Sequence, residues 1–261
     1  MLSFLQNSAG LIVWHNNLCF EGTPWNSIFT ISLLNFTLNY TLMTKVKICG
    51  ITTLEDALDT CRAGADALGF NFSSTSPRKI SPLQAKAIIE KLPPFIHAVG
   101  IFVEQTTDEI NAICRHCRLQ GAQLHNDLYS PEHARAVTEA KVIKVFRPKE
   151  NFSVEEVIDF SGKSGVTNFL FDTYCKEMAG GTGESIGTQL ASRIFRQLGN
   201  SYYAILAGGL NETNVSQAIV STRPYGVDTA SGVESKPGFK DPEKVKSFIR
   251  AAQNILYQVP L

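Results

Sequence analysis

From residue 44 onward, short apolar runs rich in β-branched and aromatic residues alternate with longer stretches whose apolar positions recur every three or four residues. The runs lie at 45–49, 66–71, 97–103, 121–125, 141–146, 167–172, 203–207 and 225–229. Ala98-Val99-Gly100-Ile101-Phe102-Val103 shows their character. It lacks strict polar alternation, so both faces of such a strand need cover. The stretches between, near 53–64, 81–91, 106–117, 130–140, 153–163, 188–198, 211–221 and 241–254, predict helices. Four of them open on cap signals: Thr52-Thr53-Leu54-Glu55, with Thr52 as the cap, Ser130-Pro131-Glu132, Ser153-Val154-Glu155-Glu156 and Asp241-Pro242-Glu243.

Strands covered on both faces and joined through helices run parallel. Eight strand–helix units after residue 43, at roughly 27 residues each, sit near the lower size limit of a (β/α)8 barrel. An open doubly wound sheet seldom uses eight such regular units. The expected class is therefore α/β, a single (β/α)8 TIM barrel over residues 44–261. In such a barrel the loops that follow the strands converge on one rim, and chemistry belongs there.

Residues 1–43 break the pattern. Glu21 is their one Asp, Glu, Lys or Arg, and both tryptophans, Trp14 and Trp25, lie among them. A secretory signal needs a positive start and a transit peptide needs arginines; neither is present. The partly apolar stretch from Phe29 to Met43 is interrupted by Asn35, Thr37, Asn39 and Thr41 and is too short to span a bilayer. The segment reads as an irregular N-terminal extension, either upstream sequence with Met43 as the true first residue or a loosely packed, disordered tail.

Lys+Arg and Asp+Glu both total 24, so no overall field draws nucleic acid or an anionic membrane. No basic stripe interleaved with aromatics is present either. An anionic substrate must be held by local dipoles and a few placed charges. Six cysteines in 261 residues are too sparse for a disulfide scaffold and fit a reducing, cytoplasmic compartment.

Candidate chemistry gathers at strand ends. Cys49 closes the first strand and Gly50 follows it, so the thiol is expected at a strand-to-helix turn, where helix amides lower its pKa toward the range of a general base. The bland alternative is a buried packing cysteine. Asp172 ends the sixth strand after Phe169-Leu170-Phe171. An apolar wall there would raise its pKa, as a general acid requires; the alternative is an ordinary turn residue. Glycine-rich segments follow strands six, seven and eight: Gly180-Gly181-Thr182-Gly183, Gly208-Gly209 and Ser231-Gly232, with Asp228 just before the last. One such loop is weak evidence, but three together, on the strands that commonly build barrel phosphate sites, point to a phosphate held by bare amides. Arg78, stiffened by Pro77 in the loop after strand two, could grip a carboxylate with its guanidinium fork, or be a solvated charge. His125 ends strand four and either lines the pocket or is structural. Cys114-Arg115-His116-Cys117 invites metal or redox chemistry, but no second ligand pair has the spacing, so no metal is expected.

Taken together, KVKICGIT at 45–52, GADALGFNF at 64–72, SPR at 76–78, AVGIFV at 98–103, QLH at 123–125, FDT at 171–173, GGTG at 180–183, LAGGL at 206–210, GVD at 226–228 and SGVE at 231–234 resemble the phosphoribosylanthranilate isomerase family of tryptophan biosynthesis. The resemblance runs in family order from Lys45 almost to the C-terminus and leaves out residues 1–42. It implies an Amadori rearrangement of a small phosphorylated aminosugar without metal or organic cofactor, by a monomer or homodimer. It further implies that Asp172 protonates the furanose ring oxygen, Cys49 removes the C2 proton, Arg78 binds the anthranilate carboxylate and His125 and Asp228 contact substrate. Gly208, Gly209, Ser231 and Gly232 would hold the phosphate. Two departures stand out: Asn126 replaces the usual glycine after QLH, and Glu184-Ser185-Ile186-Gly187 replaces the usual start of the helix after GGTG. The related histidine-pathway isomerases place an aspartate where Cys49 stands, which disfavours them. A non-catalytic phosphate-binding barrel would have no use for both thiol and acid.

Overall fold

The computed structural model describes residues 40–172 and 186–259; the stretch 1–39, with Cys19, Trp14 and Trp25, and the segment holding Cys175 and Gly180-Gly181-Thr182-Gly183 lie outside the described residues. Eight parallel strands close into a barrel: β1 Lys45–Cys49, β2 Ala67–Asn71, β3 His97–Phe102, β4 Gly121–Leu124, β5 Lys141–Phe146, β6 Asn168–Asp172, β7 Tyr203–Ala207 and β8 Gly226–Thr229. Closure is made by β1, which pairs with β2 through Cys49↔Gly69 and with β8 through Lys47↔Asp228. The helices are α1 Leu54–Ala63, α2 Pro82–Ile89, α3 Thr107–Cys117, α4 Pro131–Ala136, α5 Glu155–Ser164, α6 Ile186–Leu198, α7 Val215–Thr222 and α8 Pro242–Gln253.

Strand alternation divides the core into two compartments. Inside the cylinder, Val99, Ile143, Val145, Leu170 and Ala207 pack together, with Ala67 and Ile205 partly covered beside them. The opposite faces pack against the helices, for instance Phe169 and Phe171 with Phe146, Phe160 and Phe195. This double burial is why the strands read as continuous apolar runs.

The differences from the pattern reading are local. Helix α4 ends at Ala136, short of the expected 140, because Asn111 Oδ1 accepts from the amides of Thr138 and Glu139 and draws the chain off. Thr53, not Thr52, caps α1, accepting from the Asp56 amide, while the Thr52 hydroxyl donates to the Gly238 carbonyl. Val154 in helical conformation begins α5 without a side-chain cap. Two antiparallel ribbons were not expected: Tyr40–Met43 with Leu256–Val259, and Glu234–Lys236 with Phe239–Lys240. The second follows β8 and, as the next section describes, carries part of the site.

Candidate active site

Cys49, Arg78, His125, Asp172, Gly208, Gly209, Asp228, Ser231 and Gly232 all lie at or just beyond the C-terminal ends of barrel strands, on one rim. Cys49 shares the inward face of β1 with Lys47, two residues back. Gly69, its register partner, makes room for the sulfur: a Cβ there would lie 2.9 Å from Sγ. Buried to 9% exposure, the thiol does not sit at the helix start, since α1 begins five residues later. The expected lowering of its pKa is therefore corrected. Burial pushes the Cys49 thiol above its ordinary 9.0, and the cations Lys47 and Lys240 only partly offset that. Below it, Lys47 Nζ and Asp228 Oδ1 form a buried ion pair at 2.8 Å between β1 and β8. Burial works against the Lys47 charge, but Asp228 and the Cys49 sulfur outweigh it and hold its pKa above 10.5.

Arg78 crosses the chain directly after the thiol. Gly50 has φ +79, and a Cβ on it would meet Arg78 Cδ at 2.4 Å, so only glycine lets the arginine pass. The guanidinium fork expected to face a substrate is instead closed on Glu234, Nε to Oε1 at 2.8 Å and Nη2 to Oε2 at 2.7 Å. Lys240 Nζ also donates to Glu234 Oε1, at 2.9 Å, and to the Ala230 carbonyl at 3.2 Å. Burial disfavours the Glu234 carboxylate, but Arg78 and Lys240 more than compensate and hold it below its usual range. Two cations share one carboxylate here, which leaves this cluster with one net positive charge.

Across the barrel, Asp172 lies on the face of β6 that carries Leu170; Phe169 and Phe171 point outward into the helix layer. Those phenylalanines are therefore not the expected apolar wall; the groups that act on Asp172 are Arg147, Asp228 and His125. Burial raises the Asp172 carboxyl above its ordinary 3.8, the direction a proton donor needs, with Arg147 opposing and Asp228 adding to the rise. His125 Nε2 is 3.9 Å from Asp172 Oδ2 and its Nδ1 is 3.3 Å from Gln123 Nε2. Burial, with Arg147 and Lys47, lowers the imidazole pKa to about 4, so His125 is neutral at physiological pH.

The loops after β7 and β8 are locked together. The Thr229 hydroxyl donates to the Leu210 carbonyl at 2.6 Å, and a Cβ on Gly232 would lie 2.0 Å from that same oxygen. Gly208 and Gly209 take φ +102 and +67, accessible at little cost only to glycine. The 3-10 turn Ser231–Val233 has no side-chain cap at its start, which suits its amides to an anion, whereas before α7 Asn211 already accepts from the Thr213, Asn214 and Val215 amides.

Lys47, Arg147, Glu234 and Lys240 were missed as site residues. Lys47 carried a readable signal: an inward lysine at strand period from Cys49 demands a buried carboxylate partner. Glu234 and Lys240 depend on a hairpin whose pairing no periodicity announces. Cys114 and Cys117 face the core from α3, and burial pushes their thiols up to about 12 and about 11, which makes them packing residues.

A thiol, a raised carboxyl and paired amide loops on the C-terminal rim of a closed parallel barrel define the class as a (β/α)8 barrel enzyme for a small anionic substrate. Among the described residues no helix is long and apolar enough to cross a membrane. The sequence profile of the N-(5'phosphoribosyl)anthranilate (PRA) isomerase family matches residues 46–251, and the chain belongs to that family. The N-(5'-phosphoribosyl)anthranilate isomerase of Pelodictyon phaeoclathratiforme is 67% identical over 215 residues, 82% of this chain and 100% of the relative. The crystal structure of phosphoribosyl anthranilate isomerase from Thermotoga maritima is 37% identical with a TM-score of 0.71, over 82% of this chain and 100% of that one. A family structure in complex with reduced 1-(o-carboxyphenylamino)-1-deoxyribulose 5-phosphate is 36% identical with a TM-score of 0.70, over the same shares.

Proposed function

We propose that this chain is the aldose–ketose isomerase of tryptophan biosynthesis that converts N-(5'-phosphoribosyl)anthranilate to 1-(2-carboxyphenylamino)-1-deoxyribulose 5-phosphate, working in the cytoplasm. The observation that carries the reading is the placement of Cys49 and Asp172 on one rim of a family barrel. Asp172 gives its proton to the furanose ring oxygen; the C–O bond breaks and a C1–nitrogen Schiff base forms. Cys49, as thiolate, takes the C2 proton, and the electron pair moves into a C1–C2 double bond, giving an enolamine. Proton return to C1 and loss of the C2 hydroxyl proton give the ketone, so hydrogen is only redistributed.

Lys47 and Lys240 supply the positive charge that a desolvated thiolate needs. The Glu234 clamp fixes the Arg78 guanidinium while its aliphatic stem lies against Gly50, and the donors that Glu234 does not take are left to bind the anthranilate carboxylate. The amides around Gly208-Gly209 and Ser231-Gly232 take the phosphate, with no lysine inside either loop. His125 and Asp228 border the sugar. The barrel domain over 44–261 carries all of these groups. Turnover of phosphoribosylanthranilate, followed as loss of its fluorescence, tests the reading. The purified chain should convert it without added metal or cofactor, and tight phosphate binding with no turnover would favour a binding barrel instead.

A further inference from the structure

One side of the mouth is stitched by polar bonds that the reaction above does not use. Gln105 Nε2 donates to Phe72 O at 3.1 Å, the Val103 amide donates to Gln105 Oε1 at 3.1 Å, and Tyr129 Oη donates to Gln105 O at 2.8 Å. Asn126 is the centre of the belt. Its Nδ2 donates to Val103 O at 2.9 Å, and its Oδ1 accepts from the Leu128 amide at 2.9 Å. Its backbone carbonyl accepts from Lys144 Nζ at 2.7 Å and from the Tyr129 amide at 3.2 Å. One residue thus ties the loops after β3 and β4 to strand β5, directly beside His125.

Lys144 is the unexpected member. It lies on the helix-facing side of β5 at 3% exposure, its ammonium 5.7 Å and 5.9 Å from the ring centroids of Phe160 and Phe146. Among the described residues no carboxylate forms an ion pair with it. Burial lowers its pKa to about 8, against the pull of Asp127. Removing an ammonium from water without a carboxylate costs stability, and a methionine would fill the same space without that cost. What the lysine achieves here is the bond to the Asn126 carbonyl.

We propose that Lys144 and Asn126 are positioning residues for the isomerisation, pinning the loop after β4 so that His125 stands against Asp172 and the bound sugar. The inference rests on the reading of Asp172 as the acid. A merely structural lysine would affect stability; a positioning lysine acts through His125. Lys144→Met should therefore keep or raise the thermal midpoint while lowering kcat/KM by at least about tenfold, the scale of a small misplacement at a reacting centre. In a His125→Ala background the same change should cost less than about twofold, because the two act as one unit. Lys144→Arg should recover part of the loss, and Lys144→Leu, which likewise removes the donor to the Asn126 carbonyl, should repeat the pattern should Lys144→Met fail to fold. Unchanged kcat/KM in these variants, or equal losses with and without His125, would overturn the proposal while leaving the isomerase reading intact. Absence of turnover by the unaltered chain would overturn both.

Discussion

Replacing Cys49 with serine is expected to lower kcat by at least about a hundredfold, the usual size of a general-base effect, while the barrel stays folded. The sulfur is held where a base is useful and ionisation is hard: burial raises its pKa, and Lys47 and Lys240 return part of that cost. A serine hydroxyl in the same place ionises far less readily. The change removes little volume beside Gly69, so the thermal midpoint should move by only a few degrees. Stopped-assay turnover and a melting curve on the same preparation separate the two effects. A near-normal rate would dismiss Cys49 as the base.

Asp172→Asn should cut kcat/KM by about 10²- to 10⁴-fold, because asparagine keeps the shape but has no proton for the ring oxygen. The pH profile of kcat/KM gives a second handle. The productive form needs Asp172 protonated and Cys49 ionised, with Asp172 the more acidic of the two. Activity then rises as pH climbs through the Asp172 pKa and falls as pH passes the Cys49 pKa. Both limbs should stand above the ordinary values, 3.8 for the carboxyl and 9.0 for the thiol, since burial raises each group. The asparagine variant should lose the low-pH limb. Its survival would assign that limb to another group, and a descending limb near neutrality would mean the thiol is not desolvated.

The barrel was readable because the two faces of each strand are both buried, which leaves continuous apolar runs such as Tyr203–Ala207 at their observed bounds. The candidate residues fell on one rim for the same reason, since a residue that ends a parallel strand has little freedom in where it emerges. Their electrostatics were less readable. The Cys49 pKa moves up because desolvation, a property of the closed cylinder, outweighs any local turn geometry. Arg78 turns to Glu234, 156 residues away in sequence, a pairing that depends on a hairpin after the last strand. Asn126, first met as a departure from the family pattern, gains its meaning only from Val103 in the loop after β3 and Lys144 on β5.

In the reaction proposed above, one bound molecule touches both Cys49 and Asp172. A crystal structure of this chain with reduced 1-(o-carboxyphenylamino)-1-deoxyribulose 5-phosphate tests it most directly. Cys49 Sγ should lie about 3–3.5 Å from the sugar's C2 and Asp172 within hydrogen-bond reach of the former ring oxygen, the spacing a reacting complex needs. A ligand seated with its phosphate on the Gly208-Gly209 and Ser231-Gly232 loops but out of reach of either side chain would rule out Cys49 and Asp172 as the base and the acid.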